Sequence, residues 1–305
     1  MKIAFIDKTI HAQHAQFSVP SPTCEKKFFH NIPSLKLDLK KYKPDVVFIN
    51  KGSTLNYEEV RLAVKPYFSV YFLGDYRNPF PAWATAYATT CNMVLFTWED
   101  PEIYKDLKTM GQKNVFCIHQ GTNPNVFKPI DGSPKIYQAM FGGNFYGVNF
   151  SNAAERLKNV RFLNTHYNFQ VVGAGWPDDV KAIPRKNHPR LNKLLNQSHT
   201  TIGIHNRLFH RWGVRYGTSN RLFQCMAIGI PHIAQQSPGI SELFDDCYLE
   251  WIDRKDLQRK LDWLLSNPSE AEKLGQRQRE YIINNHTVYH AWMRMERRIR
   301  ECASK

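Results

Sequence analysis

The stretch SNRLFQCMAIGIPHIA, residues 219–234, decides the fold class. Residues 220–228 have the composition of a helix, and Gly229 stands where a glycine commonly ends one. The apolar run at 230–234 is short, as in a strand that is buried on both faces of a parallel sheet. A helix followed at once by such a strand is half of a βαβ unit, so the stretch predicts a doubly wound α/β sheet.

The same alternation recurs along the rest of the chain. Two series of short apolar runs predict strands, at 2–7, 45–50, 68–75, 93–97 and 114–120, and again at 136–142, 169–173, 200–205, 230–234 and 248–252. Helical patterns close the chain at 255–266, 270–284 and 289–302. Two separate series of strands predict two Rossmann-like domains followed by C-terminal helices.

The length of 305 residues also favours two domains, because single domains usually have about 100–200 residues. Residues 121–134 contain three prolines and two glycines, which indicates a linker. We therefore predict an N-terminal domain at 1–130 and a C-terminal domain at 131–285. A last helix at 286–305 is expected to return to the N-terminal domain.

The net charge is the unusual property of the composition. Lys and Arg number 41 against 27 Asp and Glu, which gives a formal charge of +14. A field of this size attracts polyanions, and nucleic acid and an anionic membrane surface are the candidates. The alternative is that the charge serves solubility and a site for a charged nucleotide diphosphate.

Several classes of protein receive no support from the sequence. The six cysteines are scattered without a CxxC pair, so neither a zinc site nor a disulfide framework is expected. The N-terminus lacks the long apolar run of a signal peptide, and no run approaches the ~18–20 residues of a membrane span. We therefore expect a cytoplasmic protein, in the host cytoplasm if its source is a virus. The oligomeric state is not predicted.

Arginines cluster after the strand predicted at 200–205, at Arg207, Arg211, Arg215 and Arg221. Ligands of open α/β sheets bind beyond the carboxyl ends of the strands, where arginine can hold phosphate oxygens bidentately. Gln224 and Glu242 follow in the same segment and can hydrogen-bond sugar hydroxyls. The segment predicts a phosphate and ribose site, against the alternative that the arginines are solvated or paired with acids.

Residues 219–224, 229–231 and 237–244 together resemble the donor-binding half of GT-B glycosyltransferases, above all the CgeB-like, group 1 branch. The same template fits segments at 121–129, 141–144, 171–176 and 285–287, and the resemblance covers about residues 68–300. It implies a GT-B fold, in which two Rossmann-like doubly wound domains face a cleft. It also implies a nucleotide-sugar co-substrate, a UDP- or GDP-sugar, with no further cofactor and no metal ion.

The resemblance implies a set of donor-binding residues, namely Gly143, Asn144, Arg207, Arg215, Asn220, Arg221, Gln224, Gly239 and Glu242. The chain departs from the family at one point. Many retaining members carry two glutamates eight positions apart, but the second falls on Gln224 and the first near Tyr216. Whether the sugar's configuration is retained or inverted is therefore not predicted.

The resemblance also places an acidic residue at Asp75, where the strand predicted at 68–75 ends. A carboxylate there can accept the proton of the acceptor hydroxyl, so Asp75 is the predicted catalytic residue. The alternative is that Asp75 caps the next segment or pairs with Arg77. Histidines near other strand ends offer the same chemistry, at His11, His14 and His119.

The acceptor is open between DNA and carbohydrate. Basic residues cluster at 36–43, 181–193 and 294–300, and aromatic residues lie between polar ones near the predicted cleft. This pattern suits DNA modification of the virus type, in which a hydroxymethylated base receives the sugar, and we favour that acceptor. A cell-envelope or spore polysaccharide or glycoprotein is the alternative. Because the glutamate pair is missing, a third possibility is that the protein is a catalytically inactive binding module.

Overall fold

The computed structural model describes residues 1–6, 17, 19–30, 32–50, 56–74, 81–97, 101–145, 147, 153–184, 187–204, 219–237 and 240–304. They form two compact units. The first contains Met1–His119 and Val288–Lys305, and the second contains the described residues from Gln120 to Thr287. Each unit is built on a parallel sheet of its own, so the predicted α/β class with two Rossmann-like domains is confirmed.

Parallel strands account for both sheets. The described strands are β1 (Lys2–Ile6), β2 (Glu25–Phe29), β3 (Val46–Asn50), β4 (Phe68–Leu73), β5 (Met93–Phe96), β6 (Val115–Cys117), β7 (Tyr137–Gly142), β8 (Phe169–Val172), β9 (Ala182–Ile183), β10 (Ser198–Gly203), β11 (His232–Gln235) and β12 (Leu249–Trp251). The first sheet has the order β2-β1-β3-β4-β5-β6, and the second has the order β12-β11-β10-β7-β8-β9.

Helices connect most of the strands. The described α-helices are α1 (Leu35–Tyr42), α2 (Tyr57–Val64), α3 (Ala82–Thr90), α4 (Pro101–Thr109), α5 (Ala153–His166), α6 (His188–Asn196), α7 (Asn220–Met226), α8 (Arg254–Ser266), α9 (Pro268–Asn285) and α10 (Val288–Ala303). Several of these helices have an N-cap residue whose side chain accepts a hydrogen bond from a backbone N–H of the first turn. The N-cap residues are Asn56, Asn187, Ser219 and Asp253. None of the described helices is long and apolar enough to cross a membrane.

The second unit has an apolar core on either side of its sheet. Val160 and Leu163 of α5 belong to one cluster, whereas Phe223 and Met226 of α7 belong to the other. The sheet therefore lies between these two helices, as in a doubly wound fold. This arrangement brings the amino-terminal parts of α5 and α7 to the sheet edge considered below.

The last helix, α10, packs into the core of the first unit through Trp292, Met295 and Ile299. Glu296 on the same helix is buried and accepts hydrogen bonds from Ser21 Oγ at 2.9 Å and from Arg300 Nη2 at 2.8 Å. Burial alone would raise the pKa of Glu296, but hydrogen bonds from Thr23, Arg300 and Ser21 outweigh burial and lower the pKa to about 2. Glu296 is therefore ionised in the folded protein at neutral pH.

The structure differs from the sequence prediction at two strands and at one boundary. β2 and β9 were not predicted, since β2 carries Glu and Lys at an edge of the sheet and β9 has only two residues. The second unit begins at Gln120, whereas the predicted boundary follows residue 130. The reason is that the intervening segment is bonded into this unit, where Thr122 N donates to His286 O and Ile130 N donates to Asn196 Oδ1.

Candidate functional site

The strand order of the second sheet places a crevice at one edge. β8 and β9 lie on one side of β7, whereas β10 lies on the other. Connections that leave β7 and β10 in opposite directions form a switch point, and ligands of open α/β sheets bind beyond the carboxyl ends of such strands. These ends are Gly142 and Gly203.

Residues 142–144, here called the β7 turn, lie against the carboxyl end of β8. Gly143 N donates to Val172 O at 2.9 Å, which extends the ladder beyond the strand. Gly173 approaches so closely that a Cβ on it would lie only 1.9 Å from Gly143 O. Glycine is therefore required at position 173, because no other residue permits this approach of two backbones.

Asn144 ties the β7 turn to the loop at 173–176. Asn144 Oδ1 accepts from Ala174 N at 3.0 Å, and Trp176 Nε1 donates to Gly143 O at 2.9 Å. The predicted residues Gly143 and Asn144 thus shape a double turn at the sheet edge. Direct contact of either residue with a donor stays a prediction.

Arg156 on α5 also reaches this edge, and it was missed in the sequence. Its Nη1 donates to Asn144 O and its Nη2 donates to Ile204 O, both at 2.8 Å. The side chain is buried, with its guanidinium 5.5 Å from the centre of the Phe141 ring. One arginine therefore connects the residues that follow β7 and β10. The sequence does contain a signal for Arg156. Arg156 precedes Val160 by four residues and Leu163 by seven, and this helical spacing places a charged residue on the buried face of α5.

Arg221, a predicted donor residue, contacts the opposite flank of the same turn. The helix α7 on which it lies is capped by Ser219 Oγ, which accepts from Arg221 N at 3.2 Å. A Cβ added to Gly142 would lie 3.2 Å from Arg221 Cδ and Nε, so the side chain lies directly against this glycine. The structure thus brings Gly143, Asn144 and Arg221 together at the carboxyl end of β7.

Gln224 and Asn220 lie on the same helix as Arg221. Gln224 is three residues after Arg221, so the two share a helical face. Its side chain is buried, and its amide makes no hydrogen bond to a described residue. Asn220 is half-buried at the first helical position. The side-chain amide of Gln224, beside Arg221, can donate a hydrogen bond to a hydroxyl-bearing ligand or accept one from it.

Burial also decides the state of the neighbouring thiol. It raises the pKa of Cys225 to about 11, although the charge of Arg221 opposes the shift. Cys225 is therefore a neutral packing group at pH 7 and not a nucleophile.

One segment of the second unit carries charge of a single sign. No Asp or Glu occurs in the sequence between Asp179 and Glu242, whereas Lys and Arg occur at 181, 185, 186, 190, 193, 207, 211, 215 and 221. Of the described ones, Lys181, Arg190 and Lys193 are exposed and Arg221 is half-buried. The segment therefore carries a positive potential suited to an anionic ligand.

Several predicted site residues lie outside the described residues. These are Asp75, Arg207, Arg215 and Gly239, and of Glu242 only the backbone is described. His11 and His14 also fall outside them. Among the residues that are described, no group of three or more His, Cys, Asp or Glu side chains could hold a metal ion.

The fold is that of solved glycosyltransferases. HepE from Anabaena in complex with UDP-glucose matches with a TM-score of 0.69 at 10% identity, over 100% of this chain and 99% of that chain. A sucrose-phosphate synthase from Thermosynechococcus elongatus matches with a TM-score of 0.68 at 12% identity, over 99% of both chains. A glycosyltransferase from Rickettsia africae ESF-5 matches with a TM-score of 0.67 at 12% identity, over 99% of this chain and 98% of that chain. The protein therefore has the GT-B fold.

A family match agrees with the fold. The model of the family described as Glycosyl transferase-like matches residues 151–297, which include Arg156, Arg221 and Gln224. No curated protein sequence matches the chain. The resemblance to glycosyltransferases that the sequence predicts is confirmed, and the match and the fold together define the class of enzyme as a glycosyltransferase.

Proposed function

We propose that the protein transfers a sugar from a nucleotide-sugar donor, a UDP- or GDP-sugar, to an acceptor hydroxyl. The observation that carries the proposal is the contact of Arg221 with Gly142 at the switch point of the second sheet. A diphosphate there meets a cation and a glycine turn whose backbone it can approach closely. The UDP-glucose complex of HepE, which has the same fold, supports this class of donor.

In this proposal the residues of the second unit stabilise the leaving group. The guanidinium of Arg221 neutralises charge that develops on the diphosphate as the glycosidic bond to it breaks. The Gln224 amide hydrogen-bonds the ribose hydroxyls. Arg207, Arg215, Gly239 and Glu242 remain predicted members of the same site.

The acceptor hydroxyl must lose a proton as the new glycosidic bond forms. We propose Asp75 as the residue that accepts it. An Asp75→Asn protein keeps the size of the side chain but not its basicity. It should bind the donor like wild type and transfer sugar at least about 100-fold more slowly. Wild-type transfer by Asp75→Asn would remove Asp75 from this role.

We propose a hydroxymethylated base in DNA as the acceptor. Support comes from the basic residues of α1 and the position after it, Lys36, Lys40, Lys41 and Lys43, which are exposed and form no ion pair within the described residues. The basic cluster of α10 is different, because Arg297, Arg298 and Arg300 pair with Glu301 or Glu296. Unpaired lysines on one helix suit contacts to a phosphate backbone.

A carbohydrate acceptor is the second candidate. It is favoured by one solved neighbour, which is named a sucrose-phosphate synthase, so that a carbohydrate is its named product. A polysaccharide or glycoprotein acceptor needs no polyanion surface. The lysines of α1 would then have no part in the reaction.

One experiment separates these proposals. Purified protein is incubated with UDP- and GDP-sugars, alone, with hydroxymethylated DNA, or with unmodified DNA of the same sequence, and released nucleotide is measured. Release that requires hydroxymethylated DNA supports the DNA acceptor. Release that is indifferent to DNA keeps the transferase and moves the acceptor to carbohydrate. No release from any donor, together with no donor binding, leaves the inactive binding module.

The role of α1 has its own test. DNA affinity is measured against salt concentration for wild type and for Lys40→Ala/Lys41→Ala, with Arg297→Ala as the control. Loss of two phosphate contacts should reduce the slope of log affinity against log salt by about 2. An unchanged slope would exclude α1 from the DNA contact.

A further inference from the structure

We propose that Arg156 is a positioning residue of the donor site, which fixes the two strand ends between which the nucleotide diphosphate binds. The inference rests on the proposed donor site. Its basis is the pair of 2.8 Å hydrogen bonds from one guanidinium to Asn144 O and Ile204 O. These carbonyls follow β7 and β10, which are neighbours in the sheet but far apart in the sequence.

The bond to Asn144 O orients the backbone around it. With this carbonyl directed to Arg156, the next amide, Phe145 N, donates to Ala174 O at 2.9 Å. The side chain of Asn144 holds Ala174 N at the same time. Arg156 therefore fixes the β7 turn and, through Asn144, the loop at 173–176.

Only arginine offers this combination at position 156. Its planar guanidinium carries several N–H donors in a rigid fork, so two of them can reach two different carbonyls at once. A lysine ammonium is a point charge on a flexible stem and holds two separated carbonyls less well. The buried charge costs desolvation energy that a leucine at this position would not. Arginine at position 156 thus holds two backbone carbonyls in place, although leucine there would avoid the desolvation energy of a buried charge.

Arg161 shows what an ordinary arginine of the same helix does. It pairs with Asp179 at 2.6 Å, and both side chains are about half exposed. The side-chain hydrogen bonds of Arg161 go to Asp179 and not to Asn144 or Ile204, so Arg161→Met is a matched control for Arg156→Met. Arg156→Lys is the second variant, in case the methionine variant does not fold.

The first measurement follows amide hydrogen exchange in peptides that cover 143–145 and 202–204. Arg156→Met should speed exchange in both segments by about tenfold or more, whereas Arg161→Met should leave both at the wild-type rate. Exchange in Arg156→Lys should be faster than in wild type and slower than in Arg156→Met. Exchange at the wild-type rate in a folded Arg156→Met protein would overturn the proposal.

The second measurement separates positioning from stability. Binding of UDP, or of GDP if wild type prefers it, is measured by calorimetry well below the Tm of each variant. We expect Kd and the donor KM to rise about tenfold in Arg156→Met while kcat changes less than about threefold, with Arg156→Lys recovering part of the loss. A lower Tm with wild-type Kd and KM would make Arg156 a structural residue only and overturn the proposal.

Failure of the donor site itself gives a different result. A wild-type protein that binds neither nucleotide contradicts the proposed function. The hydrogen-exchange comparison then still decides whether Arg156 fixes the two strand ends.

Discussion

Replacing Gly173 by alanine tests the geometry of the donor site most sharply. The new Cβ would lie 1.9 Å from Gly143 O and 2.6 Å from Gly143 C, whereas ordinary van der Waals contact begins at 3.4 Å. The two turns must therefore separate by about 1.5 Å, because a close-packed interior leaves no other room. The obstacle is backbone, so it cannot rotate away as a side chain does. Overpacking of this kind lowers the free energy of unfolding by about 1–3 kcal/mol.

The consequence for stability and activity follows from these distances. Each kcal/mol lowers Tm by roughly 2–4 °C in a domain of this size, so the second unit should melt about 2–12 °C lower. The displaced Gly143 carries Asn144 and the β7 turn with it. A shift of about 1 Å at a positioning group can slow a reaction about 100-fold, so kcat/KM for the nucleotide sugar should fall at least about tenfold.

Scanning calorimetry and steady-state release of nucleotide measure the two effects. Gly132→Ala is the control, because Gly132 has a φ of 68° and no atom lies within 4 Å of its added Cβ. Backbone strain should lower the free energy of unfolding of Gly132→Ala by about 1–2 kcal/mol, and kcat/KM should stay at the wild-type value. A Gly173→Ala protein with the Tm and kcat/KM of wild type would refute the close approach of the two turns.

Three further predictions concern single side chains. Arg221→Ala should weaken UDP binding by about 10–100-fold in calorimetry, since a hydrogen bond to a charged group contributes about 1.5–3 kcal/mol; unchanged affinity would remove Arg221 from the site. Gln224→Ala should weaken binding of UDP more than that of 2′,3′-dideoxy-UDP, which lacks the ribose hydroxyls, and equal losses would contradict the ribose contact. Hydrogen bonds outweigh burial at Glu296 and lower its pKa to about 2 from the usual value of 4.5. The ionised carboxylate therefore stabilises the fold above pH 4.5, and this stabilisation is lost as the pH falls from 4.5 towards 2. The Tm of Glu296→Gln should therefore fall less steeply than that of wild type over this range, with the exposed Glu301→Gln as control, and parallel curves would oppose this account.

The strands of the two sheets could be predicted where burial shaped the sequence. β3 is buried at every position, and the run at 46–50 is correspondingly apolar. β2 has the sequence EKKFF with its first residue exposed, because it pairs with β1 on one side only and lies at the edge of the sheet. An edge strand does not need the continuous apolar run from which central strands are predicted.

The sequence predicts Arg221 and Asn144 for the candidate site but not the hydrogen bonds that connect its parts. Arg221 and Asn144 follow from the strand ends and from the family resemblance. Arg156 does not, because its role depends on two carbonyls that follow strands remote in sequence. The sequence shows the glycine at 173, but not why it is required. Gly143 O lies 1.9 Å from the place that a Cβ on residue 173 would take, and this arrangement arises only when β7 and β8 pair. Tertiary pairing, not local propensity, supplies this information.

The central claim is that the carboxyl edge of the second sheet binds a nucleoside diphosphate. Calorimetric titration of wild type and of Arg221→Ala with UDP and with GDP tests it most directly. The account predicts saturable binding of at least one nucleotide to wild type and binding at least about tenfold weaker to Arg221→Ala. A folded wild-type protein that binds neither nucleotide, or an Arg221→Ala protein that binds as tightly as wild type, would contradict it.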